Sequence, residues 1–247
     1  MLCSTRKFTC TILALVFLVL AVSAWAAGPG SIFGWGGQVV GPVGHLTAIS
    51  GGGHHSLGLK ADGSIVAWGR NFDGQCNVPP PNADFIAVSA GGYHSLGLRA
   101  GGTIVASGDN MYHQCDVPSP DMGFIAVAAG FGHSLGLKAD GSVVAWGYDG
   151  QGQCNVPSPN TGFIAIAAGQ FHSLGLKADG SIVSWGDNGF GQCNVPSPNT
   201  GFIAIAAGGY HSLGLKADGP IVAWGWNGHG QCNVPPGLTN VTAIAAG

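Results

Sequence analysis

Five histidines and five cysteines recur in strict register. His55, His94, His133, His172 and His211 stand 39 residues apart, and so do Cys76, Cys115, Cys154, Cys193 and Cys232. Imidazole and thiolate are common metal ligands, and paired thiols can form disulfides. A single ion needs its ligands in one coordination sphere, whereas a 39-residue step sets equivalent residues one structural unit apart. The histidines therefore read as buried structural residues bonded to the backbone of a neighbouring strand, and neither metal nor cofactor is expected. A disulfide needs Cα atoms within about 7 Å, so the cysteines read as small buried thiols. Asp73, Asp109, Asp149 and Asp187 could supply paired carboxylates for acid and base chemistry. Their offsets within the repeat differ, however, and each lies beside Gly or Asn, the usual company of turn residues. No Ser-His-Asp order and no phosphate-binding Gly-x-x-x-x-Gly-Lys is present. The expected protein is not an enzyme.

The unit that must position these residues is the repeat itself. One copy runs from Phe163 to Gly201, and five copies follow without a gap. Within a copy the pattern predicts four short strands: Ile164 to Ala168, His172 to Lys177, Ile182 to Trp185 and a brief Cys193 to Val195. With 45 Gly, 14 Pro and only 8% charged residues, a helical fold is excluded. Four antiparallel strands per period of this length predict an all-β chain, a β-propeller of about six blades. A parallel β-helix is the competing architecture, but its coils are usually shorter. The chain enters in a third strand, where Ile32 to Trp35 matches Ile221 to Trp224, and reaches Gly247 after a first strand. An incomplete blade at the seam follows. Copy two carries Ser107 where the others have Trp, and Gly101 in place of the turn Asp, so it should be the weakest blade.

If the strands alternate in direction, the one-to-two and three-to-four connections share a face, and the two-to-three turn and inter-blade link share the other. The latter are nearly constant between copies, as in Ala139-Asp140-Gly141 and Ala178-Asp179-Gly180, whereas the former vary. The variable face also gathers aromatics: Tyr93, Tyr112, Phe131, Tyr148, Phe171, Phe190, Tyr210 and Trp226, with Phe72 in the first copy. Tyr and Trp are enriched at interface hot spots. These residues are the candidate binding surface for an unidentified protein. A glycan is the alternative ligand, since aromatic platforms beside Asp and Asn also suit sugars, and a structural repeat with drifted loops and no specific ligand is a third reading.

The segments Ala206 to Gly219 (AAGGYHSLGLKADG), Ile221 to Gly225 (IVAWG) and Gly230 to Pro235 (GQCNVP) resemble the regulator of chromosome condensation repeat in its compact bacterial form. The resemblance covers residues 31 to 247. It implies a β-propeller, and a secreted bacterial member, a β-lactamase inhibitory protein, binds its target on one face of the ring. The guanine-nucleotide exchange activity of the eukaryotic founder is not carried over, because the address and charge of this chain fit neither nucleus nor chromatin.

That address lies at the N-terminus. Arg6 and Lys7 precede eleven apolar residues, Ile12 to Val22, and Ala24-Trp25-Ala26 has the small-x-small pattern of a signal-peptidase site. Residues 1–26 read as a signal peptide and 27–247 as the propeller, secreted or periplasmic and free of the membrane after cleavage; an uncleaved anchor is the alternative. The remaining six basic residues against eleven Asp leave a net charge of about −5, which argues against nucleic acid. The exported protein should begin at Ala27; intact-mass measurement of secreted material that still carries residues 1–26 would overturn this.

Overall fold

The structure, a computed structural model, describes residues 45–247. The signal-peptide reading and the N-terminal half-copy at Ile32 to Trp35 lie outside the described residues. Each full repeat forms one three-stranded antiparallel sheet in sequence order. The first holds β1 (Leu46–Gly51), β2 (His55–Lys60) and β3 (Ile65–Gly69); the second β4 (Phe85–Ala90), β5 (His94–Arg99) and β6 (Ile104–Gly108); the third β7 (Phe124–Ala129), β8 (His133–Lys138) and β9 (Val143–Gly147). The fourth is β10 (Phe163–Ala168), β11 (His172–Lys177) and β12 (Ile182–Gly186), and the fifth β13 (Phe202–Ala207), β14 (His211–Lys216) and β15 (Ile221–Gly225). Among the described residues no helix is long and apolar enough to cross a membrane.

The expected fourth strand does not form. In the fourth copy the Cys193 amide donates to Asn188 Oδ1, the Asn194 amide to the Gly191 carbonyl and the Val195 amide to the Cys193 carbonyl. These local bonds satisfy the backbone as a tight turn and leave nothing for a ladder. The five thiols are free and half-buried in these turns, each donating to a carbonyl six residues back. Burial pushes Cys115 and Cys154 up to about 12, and Cys193 up to about 11.

The core lies between blades. One cluster joins Leu96, Leu98 and Ile104 of the second sheet to Phe124 and Trp146 of the third, and the next repeats it with Leu135, Leu137, Val143, Phe163 and Trp185. The middle strand is buried on both faces, as five successive buried residues of β8 and of β11 show. Its central glycine is a packing requirement: a Cβ on Gly136 would meet the Phe124 ring at 2.5 Å. The first strands line an axial channel of about 280 Å³, whose wall includes Val88, Val127, Ile166, Ile205 and, in sixth position, Ile244.

Hydrogen bonds cross each of the four boundaries between the five described sheets in the same way. His94 Nε2 lies 2.9 Å from Ser134 Oγ of the next sheet, and that hydroxyl donates to the Gln114 carbonyl at 2.9 Å. The Trp146 indole N–H donates to the same carbonyl. Because the serine proton is committed to Gln114, His94 must donate through Nε2–H, which leaves Nδ1 bare. His55 to Ser95, His133 to Ser173 and His172 to Ser212 repeat the contact. The histidines are thus structural, but their partner is a side-chain hydroxyl one blade away, not strand backbone. Their Nδ1 atoms are buried without a partner. Each ring packs against a glycine near the axis: a Cβ on Gly130 would lie 2.2 Å from His133 Cε1 and 2.7 Å from the Gly169 carbonyl oxygen.

Two stability predictions follow from these boundaries. Between the first two sheets Ser107 replaces the tryptophan, the Gln75 carbonyl accepts from Ser95 without an indole beside it among the described residues, and a cavity is lined by Leu57, Ile65, Phe85, Leu96, Val105 and Ser107. Ser107→Trp should fill it and restore the missing N–H donor, raising stability by about 1–2 kcal/mol and Tm by about 3–6 °C; an unchanged or lower melt contradicts the assignment. Burial also pushes His94, His133 and His172 down to about 4, 3 and 4, and lowers His55 and His211. Unfolded histidine binds its proton near pH 6.5, so from there to about pH 4 the unfolded chain holds more protons and stability falls as pH falls. Each histidine adds a slope of about 1.4 kcal/mol per pH unit. Urea midpoints should drop steadily below pH 6.5, less steeply in His133→Gln, which keeps a donor for Ser173; flat midpoints would refute the relay.

Candidate functional site

The variable loops share one face because the strand order places them there. The amide that follows each third strand bonds to the carbonyl of the one-to-two turn of its own sheet: Arg70 to His54, Asp109 to Tyr93, Tyr148 to Gly132, Asp187 to Phe171 and Trp226 to Tyr210. The Asp-Gly turns and the inter-blade links meet on the opposite face, where the amides of Phe85, Phe124, Phe163 and Phe202 bond to turn-glycine carbonyls.

The bases of the variable loops are rigid. Gln75, Gln114, Gln153 and Gln192 are 0–1% exposed, and each accepts through Oε1 from the amide two residues earlier. Asn71, Asn110, Asp149, Asn188 and Asn227 each accept the amide of the following cysteine. Apart from Asp149, which the sequence offered as a candidate carboxylate, these tethers were not among the residues singled out from sequence, although the Gln-Cys pair is present in all five copies. Most of the aspartates are absorbed in the same way. Asp109 and Asp187 accept from the side-chain amides of Gln114 and Gln192, and Asp73 pairs with Arg70 at 3.4 Å. These carboxylates brace loops and are not presented as an acid–base pair. Among the described residues no group of three or more His, Cys, Asp or Glu is placed to hold a metal.

All eight aromatic candidates join one network of ring contacts. An inner arc runs His54–Tyr93–Phe131–Phe171–Tyr210–Trp226, with centroid separations of 5.3, 5.3, 5.8, 6.5 and 6.3 Å. Tyr112 reaches it through Tyr148, which meets Phe171 at 5.9 Å, and Phe190 touches both Tyr210 and Trp226. The rings meet tilted or edge-on, the geometry that favours aromatic pairs. Phe72 is tied in by Arg70, whose guanidinium lies 5.2 Å from its ring and 5.0 Å from that of Tyr93. The outer residues project: Phe72 is 90% exposed and Phe190 52%, as is Met111 at 74%, a neighbour that the sequence pattern did not bring forward. Inside the arc, a basin of about 240 Å³ opens at the mouth of the axial channel, with a floor of glycines such as Gly92, Gly130, Gly169 and Gly209 and walls that include Phe131 and Gln170.

A family model for the Regulator of chromosome condensation (RCC1) repeat matches residues 46–75, 85–114, 124–153, 163–192 and 202–231. No curated protein matches the chain. Among solved structures it is similar to Prp20p of Saccharomyces cerevisiae, with a TM-score of 0.66 and 23% identity over 77% of this chain and 59% of Prp20p. It is also similar to the ectodomain of the Physcomitrella patens receptor kinase CR4, with a TM-score of 0.69 and 27% identity over 81% of this chain and 57% of that one. Human WBSCR16 gives a TM-score of 0.65 at 21% identity, over 83% and 67% of the two chains. The chain spans less than two thirds of Prp20p and of the CR4 ectodomain.

Proposed function

We infer, from the premise that this chain belongs to the regulator of chromosome condensation (RCC1) repeat family, a protein-binding propeller fold, that it is a secreted, non-catalytic scaffold that binds a protein through its variable face. The observation that carries this reading is the aromatic arc, in which one ring from each copy touches the next around the channel mouth. A connected aromatic surface on a rigid base offers large contact area at low ordering cost. Its rings stand at 51–83° to one another in the contacts Tyr93–Phe131, Phe131–Phe171, Phe171–Tyr210 and Tyr210–Trp226. They meet tilted or edge to face, whereas a sugar platform needs a ring face lying open, so the protein reading is preferred to the glycan one. Prp20p, similar in fold, has binding properties toward Gsp1p and histones, a precedent for protein ligands on this architecture. The acidic balance disfavours nucleic acid.

The test is affinity capture from secreted and envelope extracts with the chain and with its Tyr93→Ala/Phe171→Ala/Tyr210→Ala/Trp226→Ala variant, once both show matching circular dichroism and thermal melts. A partner held by the first and lost by the second is expected; equal capture by both, or none by either, removes this face as the binding surface.

A further inference from the structure

The two faces differ in charge as well as in constancy. Among the described residues there are six Lys and Arg, and five of them (Lys60, Arg99, Lys138, Lys177 and Lys216) close a second strand beside the constant turn. The head groups of Arg99, Lys138, Lys177 and Lys216 are engaged there. Lys138 Nζ lies 4.6 Å from the Phe124 ring centroid and donates to the carbonyls of Pro120 and Met122, and Arg99 donates to the Pro81 carbonyl. The sixth cation, Arg70, stands on the variable face, held by Asp73, Phe72 and Tyr93.

The acids divide differently. All eleven Asp lie in the described residues, and five of them, Asp73, Asp109, Asp116, Asp149 and Asp187, belong to the variable loops. With histidine neutral, that face carries −4, from five acids and one cation. The constant face carries −1, from six acids and five cations. Nearly all the net charge is therefore on the aromatic side. Asp116 and Asp149 are exposed there, and hydrogen bonds from Asn110 and His113 hold Asp116 below the usual carboxylate range.

Resting on the protein-binding reading above, we propose that the occupant of this face is a basic protein segment: an apolar side chain at its tip seats in the glycine-floored basin, and flanking Lys or Arg residues meet the exposed carboxylates of Asp116 and Asp149. Charge complementarity selects this partner over anionic surfaces. A phosphate backbone, an anionic lipid headgroup or an acidic glycan would meet a field of its own sign, whereas cations on a protein loop would be steered toward the arc and held at its rim.

A library of disulfide-closed peptides displayed on phage, panned on the whole chain and counter-selected on the Phe171→Ala/Tyr210→Ala variant, tests this directly. Enrichment of peptides with an aromatic or Leu between two or more Lys or Arg is expected. A synthetic copy of one should bind on the order of tenfold more weakly to Asp116→Asn/Asp149→Asn, and again between about 50 and 500 mM NaCl. The double variant should melt as the parent does. Face-dependent peptides without excess cations, or with salt-indifferent affinity, overturn the charge inference and leave protein binding standing. If no enriched peptide depends on Phe171 and Tyr210, both readings fall.

Discussion

Every blade boundary that the structure describes in full is joined by the same chain of polar contacts: a histidine N–H to a serine hydroxyl of the next sheet, and that hydroxyl to a glutamine carbonyl. A net hydrogen bond contributes only about 1 kcal/mol, but a buried donor left unpaired costs more than that. The chain therefore does more to specify how neighbours sit than to hold them. Leucine and phenylalanine clusters would tolerate sliding of one sheet over the next; the relay does not, because Ser134 has one oxygen and Gln114 one carbonyl to offer. The position of each blade then sets the position of its loops, and with them the spacing of Tyr93, Phe131, Phe171 and Tyr210.

The same constraint explains the composition. A histidine turned toward the next blade needs a glycine beside it, since Gly91, Gly130, Gly169 and Gly208 would each place a Cβ within 2.6 Å of their own imidazole. Those glycines approach the axis, where each lies against a carbonyl of the following copy. The channel wall is consequently made of small and β-branched residues, and the large side chains are driven either between the sheets, as with Trp146 and Phe163, or outward onto the loop face.

Much of this was legible from the period alone. The 39-residue step predicted the all-β propeller and the gathering of eight aromatics on one face. Three features were not legible. The Cys193 to Val195 strand failed because its amides find nearer partners in Asn188 and Gly191, a competition that strand propensity does not register. The histidine's partner was missed because the serine adjacent to it in sequence serves the preceding blade, while its own acceptor stands 40 residues on. The third is Gln114, whose near-complete burial and double use, as side chain within the loop and as carbonyl across the boundary, emerge only when two copies are stacked.

The tethering of each loop at its base has a consequence for how such a surface changes. Buried Gln153 and exposed Asp149 hold their loop through the amides of Gln151 and Cys154, so the identity of the side chain at its tip has little part in keeping the loop folded. Tip residues such as Phe72, Met111 and Phe190 can be exchanged one copy at a time while the frame beneath them stays intact. Recognition and stability are thereby encoded in separate residues of the same short segment, and the face can diversify by independent, single-residue steps.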